Sequence, residues 1–239
     1  VYVYAVTAAL MLASTIAYLF LPRLSLAKIA GRSLDMLLGG ISYVRSNSIV
    51  LGAIALDLFI MMMGAVVTLL PVYAADILNV GPEALGVMRG MPALGGVVVG
   101  MGLAALPPMR RSGLCLFIAL VIFSASITVF AVSTIYWVSL AALFVYGATD
   151  MVSVNIRMIL IQLATPDHLR GRVSAVNAIF ISSSNEMGDI RAGSVASLFG
   201  PVATVFIGSL MAFGVTMGGW YLFPKLRQLD RLTDVTPRN

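Results

Sequence analysis

Seven charged residues stand inside stretches of this chain that are otherwise apolar: Asp57, Arg89, Asp150, Arg157, Glu186, Asp189 and Arg191. At the centre of a membrane helix a charge costs at least ~2.5–3.5 kcal/mol, so each should face protein or a watery cavity. Counting at ~1.5 Å per residue puts Asp150 at the midpoint of Tyr136–Leu163, and Glu186 at that of Val173–Phe199. Two carboxylates on different helices are thus expected at the bilayer midplane, where secondary transporters place substrate and ion sites. Arg157 follows Asp150 by seven residues, on nearly the same face and roughly 10 Å nearer the inner surface. Asp57 lies at a depth similar to Arg157, Asp189 and Arg191 slightly outward of Glu186, and Arg89 roughly 10 Å outward in its own span.

Two chemistries fit this set. In the first, the charges are interhelical ion pairs, with Asp57 matched to Arg157 and Arg89 to Asp189 or Glu186. In the second, some of them work. A buried carboxylate whose arginine partner can leave takes up a proton when alone and releases it when the cation returns. Proton-coupled transport needs that alternation, and one charge moved through 100 mV supplies ~2.3 kcal/mol. Ser153 and Asn155, and the run Ser182 to Asn185, add polar groups on the same helices that can bind a solute or join helices.

Seven apolar runs of membrane length carry or flank these residues: Val1–Leu21, Ile49–Ala75, Leu85–Leu106, Leu114–Val132, Tyr136–Leu163, Val173–Phe199 and Val202–Phe223. The first, fourth and seventh are charge-free and suited to face lipid; the other four should wall a polar interior. A triplet rhythm of this kind is what three-helix repeats would leave. The chain is 60% hydrophobic and only 10% charged. Soluble domains carry roughly 25% charged residues, so the class is integral membrane, all-α. The alternating ~10-residue pattern of a β-barrel is missing from the sequence.

The net charge of +5 does not call for nucleic acid. The excess lies in alternate loops: Arg23, Lys28, Arg32 and Arg45 in 22–48, Arg110 and Arg111 in 107–113, Arg170 and Arg172 in 164–172, and four more in the tail. The opposite loops hold Asp76 and Glu83 and no base. The positive-inside rule therefore predicts a cytoplasmic C-terminus. Within 22–48, Leu26, Ile29, Leu34, Leu37, Leu38, Ile41 and Val44 recur at helical spacing opposite Lys28, Arg32 and Asp35, which predicts an amphipathic surface helix. Val1 opens inside a span, without a basic leader or cleavage-type site, which predicts further helices upstream rather than a signal peptide.

Gly81-Pro82-Glu83 predicts a helix start. Thr165-Pro166-Asp167 and Gly171 predict a turn between helices. The spacings Gly86-x-x-x-Gly90, Gly96-x-x-x-Gly100 and Gly214-x-x-x-Gly218 predict close helix packing. Cys115 reads as a small buried apolar residue and His168 as a solvated loop residue. No motif calls for a cofactor or metal, and no nucleophile or histidine cluster suggests an enzyme.

The chain resembles the carboxyl-terminal part of a major facilitator superfamily transporter. Within that family it is similar to the bacterial branch of the enterobactin exporter and the transmembrane secretion effectors. The likeness is carried by Leu70-Pro71-Val72-Tyr73-Ala74, by Gly147 to Arg157, by Ala164 to Asn177, by Ser184-Asn185-Glu186-Met187-Gly188, and by Leu222 to Arg227. It implies seven transmembrane helices corresponding to helices 6–12 of that fold. Residues 1–21 would be the last helix of the amino-terminal half, 22–48 a cytoplasmic linker, 49–223 the six-helix carboxyl-terminal half and 224–239 a cytoplasmic tail. It further implies a proton-coupled exporter, an antiporter in the bacterial inner membrane, whose substrates are small amphipathic molecules such as siderophores, drugs or metabolites. Its partners would be the bilayer, protons, the solute and a missing amino-terminal half. The family's loop motif of glycine, acid and bases keeps only Arg110 and Arg111 between Gly102 and Gly113. A different class of reading is a membrane assembly or signalling protein that moves no solute.

Overall fold

The computed structural model describes residues 2–20, 33–105 and 111–230. The chain divides into two units, 1–32 and 33–239. The described part of the first is one apolar helix, α1 (Tyr2–Leu19). The second is built of helices: α2 (Ser33–Ser46), α3 (Ser48–Met63), α4 (Leu70–Val72), α5 (Pro82–Ala105), α6 (Ser112–Val132), α7 (Tyr136–Ala164), α8 (Arg170–Phe199), α9 (Pro201–Leu222) and α10 (Pro224–Arg227). No strand occurs among the described residues.

Five segments of this unit are long and apolar enough to cross a membrane: Ser48–Ile77, Pro82–Ala105, Ser112–Val132, Tyr136–Ala164 and Pro201–Leu222. With 30 residues α8 is also long enough, but Glu186, Asp189, Arg191 and the run Ser182 to Asn185 make it too polar to qualify by composition. Its buried stripe is narrow, running through Val173, Val176, Ser184, Gly188 and Ala192 at helical spacing. Ser182, Ser183, Asn185, Glu186 and Asp189 are exposed.

Helix α5 lies along α7, α6 packs on α7 and α9, and α3 is held between α8 and α9. The charge-free helices α6 and α9 turn Ile118, Ile122, Val129, Phe206, Leu210 and Phe213 outward, as lipid-facing helices do. Their polar groups point inward, where Thr128 Oγ1 meets Ser209 Oγ at 2.9 Å. A backbone carbonyl can also absorb such hydroxyls, as Ser124 donating to Leu120 O does at 2.9 Å.

The amphipathic helix expected over 22–48 is described from Ser33 onward; 22–32 lie outside the described residues. It packs on α8 through Gly40, Tyr43 and Val44, while Leu38 and Ile41 are exposed. The contact is close because a Cβ on Gly40 would stand 2.9 Å from Arg172 O. Tyr43 Oη donates to Ala164 O at the end of α7. The stop there is Thr165-Pro166, as expected, but Gly171 lies within α8 and makes no turn. Beyond Phe223 the chain is anchored: Leu226 is buried, and Ser112 N and Gly113 N donate to Asp230 O and Leu229 O at 3.2 and 3.1 Å. These carbonyls satisfy amides that the first turn of α6 cannot pair internally.

Of the three glycine spacings, Gly96-x-x-x-Gly100 does face a neighbour, with a Cβ on Gly96 3.6 Å from Gly147 O and one on Gly100 3.2 Å from Met151 Cε of α7. A Cβ on Gly86, Gly90, Gly214 or Gly218 would meet nothing within 4 Å. The close approach is between α5 and α7, where a Cβ on Gly95 would collide with Phe144 O and one on Gly147 with Pro92 O. Backbone cannot swing aside as a side chain can. Gly147→Ala should therefore destabilise the purified protein by about 1–3 kcal/mol. Gly102→Ala, in open space on the same helix pair, should be neutral or gain up to about 1 kcal/mol from helix propensity. Thermal unfolding in detergent compares the two.

Candidate functional site: the ion pair, the helix break and the cavity

Asp57 lies in the third turn of α3 and Arg157 in the second half of α7; both are buried, and they form an ion pair. The two residues matched in depth by sequence counting thus meet. Burial on this scale is tolerable only with the partner present, since a lone charge in low dielectric loses its hydration without compensation. Arg157 Nε has no hydrogen-bond partner, so the pair rests on the other arm of the guanidinium.

Arg89 does not join Asp189 or Glu186. It is exposed on α5, and among the described residues the ion pairs are Asp57–Arg157 and Arg170–Asp167, the latter at 2.7 Å on the surface. Arg170 Nε also donates to Gln162 O at 3.1 Å, tying the start of α8 to the end of α7. Arg172 is half-buried against Gly39 of α2. Arg111 stands at the start of α6 with φ 59°, and Arg110 lies outside the described residues.

The span read over Ile49–Ala75, which has Pro71 inside it as a source of a kink, is interrupted. After Met63 the chain leaves the α-helix at Gly64, continues as a 3-10 turn over Val67–Leu69, regains one α turn at Leu70–Val72 and widens to a π-helix over Tyr73–Ile77. Gly64 N still donates to Ile60 O at 2.7 Å, but the next carbonyls have lost their i+4 donors. Arg191 of α8 replaces them: Nε donates to Met62 O at 2.9 Å and Nη2 to Met63 O at 2.6 Å. Non-helical backbone at membrane depth survives only where protein or trapped water satisfies it. A cation also suits the negative end of the α3 dipole. The sequence placed Arg191 among candidate charge partners; its work on backbone carbonyls was not foreseen. The local signal was Gly64 after a three-methionine run, with Pro71 seven residues on.

Beside the break is a cavity of about 350 Å³, lined by Met61 and Ala65 to Val67, by Tyr146 and Asp150 of α7, and by Asn185 and Asp189 of α8. Asp150 Oδ1 is buried without a hydrogen-bond partner. Tyr146, which the sequence reading passed over, is held by stacking on Phe123 with centroids 4.5 Å apart. Glu186 is exposed on α8 and does not line this cavity. The charged residues therefore separate into a closed pair, a backbone clamp, and carboxylates facing open space.

An all-helical chain with five membrane-length segments and internal charges is a multi-pass membrane protein with the makings of a solute path. The profile of the Major Facilitator Superfamily matches residues 1–188, and the chain belongs to that family of membrane transporters. It is 23% identical over 204 residues to a protein named enterobactin exporter EntS from Citrobacter koseri, covering 85% of this chain and 48% of that one. The chain thus spans about half the length of that curated relative. No solved structure matches it.

Removing either partner of the ion pair should strand a buried charge. Asp57→Asn or Arg157→Met alone should destabilise by about 3–5 kcal/mol. The exchange Asp57→Arg with Arg157→Asp should recover a good part of that loss. Denaturant unfolding of the three variants measures it.

Proposed function

We propose that this chain is the carboxyl-terminal part of a proton-coupled secondary transporter that exports small amphipathic molecules, such as siderophores, drugs or metabolites, across the bacterial inner membrane. In this reading α1 and α8 also cross the bilayer, making seven spans equivalent to helices 6–12 of the family. Residues 22–48 are a cytoplasmic linker between halves, and 224–239 a cytoplasmic tail, in keeping with the basic loops. The exposed polar face of α8 looks onto a water-filled space that the amino-terminal half closes off from lipid, since Glu186 and Asp189 against lipid would each cost several kcal/mol.

The observation that carries the reading is the contrast between the two acids Asp57 and Asp150. Asp57 is locked to Arg157, whereas Asp150 opens on a cavity with one carboxyl oxygen unpartnered. A carboxyl group so placed can hold a proton in one state of the cycle and exchange it when the cavity opens to water or to a solute. Asp57 and Arg157 then serve as a fixed brace, Asp189 shares the cavity, and Glu186 sets α8 against the other half. The relative named enterobactin exporter supports export of a siderophore-like solute as the first substrate class to try.

The test is efflux from cells expressing the complete gene, with siderophores and dyes as probes and the proton gradient on or collapsed. Asp150→Asn should reduce gradient-driven efflux by at least about 100-fold while leaving folding and solute binding near wild type. Full gradient-driven transport by this variant would remove Asp150 from the mechanism.

A further inference from the structure

The side chain of Arg191 donates two hydrogen bonds, and both go to backbone. Nε and Nη2 reach the carbonyls of two successive residues, Met62 and Met63, at 2.9 and 2.6 Å. A guanidinium presents two donors in a planar fork, which suits two neighbouring oxygens; an ammonium is a point donor and does not. The site is shaped for this contact from two helices. A Cβ on Gly188 of α8 would come within 3.1 Å of Met61 O. A Cβ on Gly208 of α9 would come within 2.5 Å of Met63 O and 3.3 Å of Arg191 Nη2.

The clamped carbonyls lie between two parts of the cavity wall. Met61 precedes them and Ala65, Val66 and Val67 follow, and all four residues line the cavity opposite Asp150 and Asp189. The backbone from Gly64 to Val66 makes no regular helix and is tied at its ends by Gly64 N donating to Ile60 O and Leu69 N donating to Val66 O, so its path depends on how the end of α3 is held. We propose that Arg191 is a positioning residue for the substrate cavity: by holding the end of α3 it sets the wall from Met61 to Val67 against which the solute binds. The role rests on the transport reading above. Arg191 makes no ion pair with Asp150 or Asp189 among the described residues, its donors being turned to the helix end.

The experiment uses the complete transporter in proteoliposomes, in a Cys115→Ala background carrying Ala65→Cys as a reporter on the wall. Arg191→Gln should raise the rate at which a small hydrophilic maleimide labels position 65 by about fivefold, as the freed segment opens locally. With whichever of enterobactin or ethidium the wild type exports, KM should rise about tenfold while Vmax per folded molecule stays within about twofold. Arg191→Lys should fall between wild type and the glutamine variant, and Glu186→Gln should leave labelling unchanged. Should Arg191→Gln not fold, Gly208→Ala reads the same contact with every charge kept, by pressing on Met63 O and the guanidinium. Unchanged labelling and KM in a folded Arg191→Gln or Gly208→Ala protein would overturn the proposal. Faster labelling in a protein that exports neither probe would support the clamp and count against the transport reading.

Discussion

Hydrocarbon offers no hydrogen bonds, so every charge and every carbonyl without a helical partner in this chain needs an answer from the protein itself. That demand organises the molecule. Asp57 is tolerable because α7 brings Arg157 to it. The interruption of the first long span is tolerable because α8 brings Arg191 to the two carbonyls it exposes. Hydroxyls on α6 and α9 bond to their own helices or to each other. Among the described residues two buried side-chain oxygens stay open, Asp150 Oδ1 and Asn177 Oδ1, and Asp150 stands at the edge of a cavity.

The helix packing serves these contacts. Glycine is used where two backbones must nearly touch: Gly95 and Gly147 join α5 to α7, and Gly188 and Gly208 let α8 and α9 close on the end of α3. The first pair places Tyr146 and Asp150 along a helix gripped from both sides by α5 and α6. The second pair brings Arg191 within bonding distance of the break. Rigid contacts thus surround a short irregular segment, Gly64 to Val66, that has no helical ladder of its own.

Much of this was legible in the sequence, for reasons that can be stated. Five of the seven expected spans are membrane-length apolar segments, which length and charge sufficed to mark, and the apolar outer faces of α6 and α9 agree with their lack of charge. Asp57 and Arg157 could be matched because depth along a helix is linear in residue number. Pro71 marked the span as one that can bend, but the place and form of the helix break could not be read, because loss of a few backbone bonds leaves no periodic trace in side chains. Arg191 was legible as a buried charge but not as a carbonyl ligand, since backbone acceptors carry no sequence signature. Glycine spacing was right at Gly96 and Gly100 and misled at the other two pairs, for a related reason. The pattern gives helix smoothness, while the partner surface decides which glycine is used, and Gly95 served where Gly86 and Gly90 did not.

The central claim is that the polar side of α8 faces water inside a transporter rather than lipid or packed protein. The direct measurement is a cysteine scan from Val173 to Ala192 in the complete protein in membranes, read with a hydrophilic thiol reagent. The account predicts a helical period of reactivity, high at Ser182, Ser183, Asn185 and Asp189 and low at Val176, Ser184, Gly188 and Ala192. Uniform protection of the first group, or labelling centred on the second, would contradict it.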